Sequence, residues 1–168
     1  MKKLFLTAII VASTSFALIS CSSEEDSNQP SETQGVNLTD AQAIQRHILN
    51  GYWQYESTID LDDNQVEEAE HYFAYKFKAN NTHDYYYQKN VKHSERKYKI
   101  DTIDGKAVYI LYSTESDFED NIIHDYNTFN ISIENDKIKL ESREGNYIDY
   151  FKFYETMGET KDLPVGGL

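Results

Sequence analysis

The chain has a single cysteine, Cys21, so an intramolecular disulfide is excluded. It also lacks the short motifs of nucleotide and hydrolytic chemistry: there is no Gly-rich phosphate loop, no Gly-x-Ser-x-Gly elbow and no His-Glu-x-x-His pair. These absences predict a binding protein, not an enzyme, and imply no cofactor. Basic residues are scarce, with 16 Lys and Arg against 29 Asp and Glu and a net charge of −13. Nucleic acid and anionic bilayer surfaces are poor partners for that field, whereas cations, neutral sugars, amphipathic small molecules and basic proteins suit it. After residue 20 no segment reads as a transmembrane helix.

What is present begins with an address. Lys2 and Lys3 precede "LFLTAIIVASTSFAL", a run too short and too rich in small residues for a stable span, so residues 1–20 read as a signal peptide. The residues "LISC", ending at Cys21, resemble the lipobox of bacterial lipoproteins, in which cleavage falls before the cysteine and acyl chains such as palmitate are attached to it. The competing use of a lone Cys is a buried thiol; the length, charge and position of the preceding segment favour lipidation of Cys21, with the membrane as partner through the anchor. Losing residues 1–20 removes two lysines and no acid, which deepens the net charge to −15.

Residues 21–37 read as an acidic disordered tether, because "SSEEDSNQPSETQG" has no large apolar residue with which to offset ordering entropy. Glu24, Glu25 and Asp26 either keep it solvated or resemble the acidic export signal that sends some Gram-negative lipoproteins to the outer face of the outer membrane. The resemblance implies a cell-envelope location, with the leaflet left open.

The folded part opens with "NLTDAQAIQRHILNGYW", where Thr39 is placed as N-cap, Ile44 and Ile48 share a face, and Asn50-Gly51 ends the helix. From Tyr52 the apolar period becomes two. In "YWQYESTID" the residues Trp53, Tyr55, Ser57 and Ile59 share one face, and "EAEHYFAYKF" alternates His71, Phe73, Tyr75 and Phe77. "THDYYYQK", "KYKIDTI", "KAVYILYS", "NIIHDYNTFNISI", "KIKLES" and "YIDYFKFYE" follow, with Asp104-Gly105 and Asn135-Asp136 as tight turns and "ESDFED" as an acidic loop. These are eight strands without room for crossover helices, which predicts an all-β, eight-stranded antiparallel up-and-down barrel preceded by one short N-terminal helix. The barrel domain is placed at residues 38–156 and a flexible C-terminal tail at 157–168.

Gly51-Tyr52-Trp53, after a short helix and at the opening of the first strand, resembles the Gly-x-Trp signature of lipocalins, and the arrangement is similar to bacterial lipocalin-like (calycin-type) lipoproteins. The resemblance implies that Gly51 and Trp53 close one end of the barrel. His124-Asp125-Tyr126 matches a Thr-Asp-Tyr element of that family only in part, and no basic residue near the end of the last strand is placed to stack on Trp53.

Tyrosine and phenylalanine are in excess, at 14 and 8 residues. Tyr55, Phe73, Tyr75, Phe77, Tyr85, Tyr87, Tyr98, Phe129, Phe151 and Phe153 fall on the inward face, where they either fill the barrel or line a lumen for a small amphipathic ligand. The competing function is an envelope interaction protein with a packed core that meets a protein or glycan partner through outer tyrosines Tyr52, Tyr72, Tyr86 and Tyr150. His71, His83, His93 and His124 lack the short spacing of metal ligands, and the acidic turns lack an EF-hand pattern, so no metal is expected.

Overall fold

The computed structural model describes residues 35–165, and the signal peptide, Cys21 and most of the acidic tether lie outside the described residues. The described end of the expected tether is tied to the barrel: Asn37 Oδ1 accepts from the Asn135 amide, and just beyond the tether Leu38 exchanges two backbone hydrogen bonds with Ile133, each 2.8 Å. Helix α1, Ala41–Ile48, is capped by Asp40, whose carboxylate accepts from the Ala43 amide at 2.8 Å. The cap is one residue later than expected, since Asp40 and Thr39 are both good caps and the carboxylate reaches the free amide. Ile44 and Ile48 are fully buried, each burial contributing about 1.5–3 kcal/mol.

Strand β1 spans Tyr52–Asp60. Its first neighbour is interrupted: β2, Val66–Glu68, and β3, Ala74–Phe77, both pair antiparallel with β1, with Glu70, His71 and Tyr72 looping out between them. The chain continues through β4, Thr82–Gln88; β5, Val91–Ile103; β6, Lys106–Leu111; a short helix α2, Glu115–Glu119; β7, Thr128–Glu134; β8, Lys137–Ser142; and β9, Tyr147–Tyr154. From β3 onward each strand pairs antiparallel with the next, and β9 returns to pair with β1 from Tyr52↔Tyr154 to Asp60↔Tyr147. With β2 and β3 counted as one broken strand, the result is a closed eight-stranded antiparallel barrel, and closure leaves no long edge exposed.

Several local expectations change. "VKHSER" is strand rather than loop, because Asn90 takes a positive φ of 63° and turns the chain directly into β5. "ESDFED" forms α2 behind a capping box between Thr114 and Asp117. The turns at Asp104-Gly105 and Asn135-Asp136 have positive φ at both central residues, as hairpin turns require.

The expected flexible tail is also corrected. Residues Met157–Val165 run along the outside of the barrel: Gln54 donates to the Lys161 carbonyl at 3.0 Å and accepts from its amide at 2.8 Å, and the Tyr72 amide donates to the Pro164 carbonyl at 2.8 Å. Met157 and Thr160 are buried, with Tyr72, Ala74, Tyr86 and Met157 forming a second apolar cluster outside the barrel. A segment that satisfies buried polar groups in this way is held against the barrel.

Candidate functional site

The barrel has one filled end and one hollow end. At the filled end α1 lies over Trp53, which is fully buried; its Nε1 donates to the Ile48 carbonyl at 2.9 Å, and its ring packs 5.2 Å from Phe153 and 5.8 Å from His47. Gly51 sits at φ +78°, and a Cβ there would stand 2.4 Å from the Tyr154 carbonyl oxygen and 2.6 Å from the Phe153 ring. Only glycine fits both the backbone angle and the close approach.

Above this plug lies an aromatic floor. His83 is fully buried between Tyr75, Phe77, Tyr85 and Tyr98, with ring centres 4.6–5.6 Å away, and the Tyr109 hydroxyl is 3.4 Å from Nδ1. Desolvation holds its pKa down at about 3, with the Arg96 charge adding to the effect, so the imidazole is neutral and serves as a flat core ring.

The other end opens into a cavity of about 940 Å³. Of the ten candidate lumen residues, Tyr55, Phe73, Tyr75, Tyr87, Phe129 and Phe151 line it. Phe73 is the centre of this wall, 4.8 Å from Tyr75, 5.3 Å from Tyr87 and 6.2 Å from Phe151. The remaining four do not line the cavity. Phe77 and Tyr98 pack in the floor 5.1 Å apart, Tyr85 sits edge-on behind Tyr75 at 4.9 Å, and Phe153 packs against Trp53. Alternation assigns these rings to the inside correctly, but how far the plug fills the barrel decides which of them meet empty space.

Tyr109, Leu111, Leu140 and Asp149 also line the cavity and were not among the expected residues. Asp149 stands two positions before Phe151 on β9 and so shares its inward face. A bulge in β1 between Tyr55 and Ser57 shifts the alternation so that Thr58, not Ser57, faces inward. Thr58 Oγ1 hydrogen-bonds both the Tyr55 hydroxyl and Asp149 Oδ1. Desolvation raises the Asp149 pKa above the usual carboxylate value, and the Thr58 bond opposes it. Desolvation also raises Tyr55 and drives Tyr75 and Tyr109 well above the ordinary phenol range, which keeps these hydroxyls neutral. The mouth is formed by Val66, Glu67, Glu68, Ala69, Glu70 and His71.

The outer face offers less than expected. Tyr72 and Tyr86 are buried beneath the C-terminal segment, which leaves only Tyr52 and Tyr150 of the four outer tyrosines partly accessible. Among the described residues no group of three His, Cys, Asp or Glu side chains converges as metal ligands, and no helix is long and apolar enough to cross a membrane.

The fold and cup define the class of architecture: a closed eight-stranded antiparallel barrel with one plugged and one open end. No family profile matches the chain, and no curated protein matches it in sequence. A crystal structure of a lipocalin-like protein from Bacteroides uniformis is similar with a TM-score of 0.40 and 13% identity, covering 63% of this chain and 98% of that one.

Proposed function

We propose that the protein is a lipid-anchored barrel of the bacterial cell envelope that carries a small amphipathic or apolar molecule in its cavity, as a binder and not a catalyst. The cavity is the observation that supports the reading. Its volume of about 940 Å³ falls within the roughly 300–1,000 Å³ of small-molecule sites, and its aromatic walls broken by a few hydroxyls and one carboxylate match the usual composition of such sites. Anchoring is read from "LISC" at Leu18–Cys21, and an outer-membrane address from the acids that follow.

Native mass spectrometry of protein purified gently from its own host tests the carrier reading. A co-purifying small molecule is expected, with reduced occupancy in Phe73→Ala and Tyr87→Ala. Protein that emerges empty and takes up no amphiphile overturns it. Cys21→Ser tests the anchor separately: the variant is expected in the soluble fraction, and unchanged membrane recovery rejects lipidation at this residue.

A further inference from the structure

The charge around the cavity narrows the ligand further than its shape does. Glu67, Glu68 and Glu70 stand at the mouth and Asp149 in the wall, whereas no Lys or Arg lines the cavity. None of these four acids is ion-paired among the described residues. Elsewhere the chain pairs its acids readily: Asp84 takes Lys78 at 2.7 Å and Lys92 at 2.6 Å, and Glu56 takes Lys137 at 2.5 Å. Arg96, on β5, lies 5.2 Å over the Tyr85 ring and is not among the lining residues.

Asp149 accepts from Thr58 through Oδ1, and its Oδ2 has no hydrogen-bond partner among the described residues. Tyr55, Phe73, Tyr75 and Phe151 line the same cavity as Asp149, and an aromatic face offers a cation the negative side of its π system. An anionic head group entering here meets four carboxylates, with the His71 imidazole at the mouth the one basic side chain among the lining residues, and a neutral one leaves the half-buried Asp149 without a countercharge, which is costly in a site drier than bulk water. A cation meets a carboxylate, aromatic faces and an acidic mouth that draws it in.

We propose that the cavity takes a cationic amphiphile, an organic amine or quaternary ammonium with an apolar tail, whose charge sits by Asp149 against the aromatic wall. The inference rests on the carrier reading above and names the chemical class carried.

Calorimetric titration of the whole protein with octyltrimethylammonium, octanoate and octanol, each below its aggregation threshold, separates the two claims. The ammonium is expected to bind about tenfold or more tighter than either analogue at low salt, with the margin shrinking as salt rises. Asp149→Asn is expected to remove most of that preference. Glu67→Gln with Glu68→Gln, two exposed changes that leave the core untouched, is expected to reduce it by about threefold. Octanoate or octanol binding as tightly as the ammonium, or a preference unaltered in both variants, overturns the cation inference and leaves the carrier reading standing. Absence of saturable binding by all three overturns both.

Discussion

Thr58 and Asp149 face each other directly across the pairing of β1 with β9, and the threonine hydroxyl donates to the carboxylate on the cavity side of that seam. The pair is the polar spot in an otherwise aromatic wall. Because desolvation raises the folded pKa of Asp149 above its ordinary 3.8, the folded state holds its proton to higher pH than the unfolded state does. The stability this group contributes is therefore complete below about pH 3.8 and is lost as pH rises through the folded value. Asp149→Asn, which keeps an acceptor for Thr58, is predicted to gain in melting temperature over the parent on going from about pH 3 to about pH 7. A melting-temperature difference independent of pH rejects this account.

His83 behaves oppositely. Its folded pKa of about 3 lies below its ordinary 6.5, so the unfolded chain binds the extra proton and stability falls as pH drops from about 6.5 toward 3. The loss attributable to this ring is on the order of a few kcal/mol. His83→Phe is predicted to flatten urea-denaturation stability across that range. The imidazole signals of His83 in NMR are predicted to report a neutral ring at pH 5.

Two glycines with nearly the same backbone angle separate conformational strain from crowding. Gly51 has φ +78° and meets Tyr154 and Phe153, whereas Gly105 has φ +76° and nothing within 4 Å of a built Cβ. Gly105→Ala is predicted to cost about 1 kcal/mol from the left-handed angle alone, and Gly51→Ala clearly more, at least about 3 kcal/mol. Chemical denaturation of the two variants side by side measures the difference, and equal costs would mean that the approach to Tyr154 is unimportant.

Gln54 is buried and holds both the amide and the carbonyl of Lys161. Gln54→Ala is predicted to cost about 1–3 kcal/mol by orphaning that pair. Hydrogen exchange at Lys161 is predicted to accelerate selectively, ahead of amides in β8. Unchanged protection at Lys161 counts against a fixed C-terminal segment.

The parts of the fold that were legible are those decided locally. Strand β8 coincides with "KIKLES", and Ile138 and Leu140 point inward as period two requires. Asp104-Gly105 and Asn135-Asp136 turn where left-handed residues stand together. Thr114 and Asp117 were readable as a capping pair, but the acids around them make the segment look like a solvated loop.

What alternation missed depends on partners distant in sequence. The bulge that turns Thr58 inward comes from pairing with β9, some 90 residues away. The departure of Glu70–Tyr72 from the ladder goes with the Pro164 carbonyl, which the Tyr72 amide reaches from outside. Asp149 was accessible to parity, since Phe151 and Phe153 had already fixed the inward phase of β9. An aspartate beside a tyrosine, in a chain with many of both, carries no signal on composition alone.

Tyr72 joins two jobs in one residue: its side chain is clamped between Met157 and Thr160, and its backbone is where the brim of the cup leaves the weave. Snipping the polypeptide just past β9 would thus loosen the doorway while sparing the furniture of the room, so that guest exchange quickens although no wall ring has been altered. The width of the entrance is set by a hem stitched from the far side of the cloth.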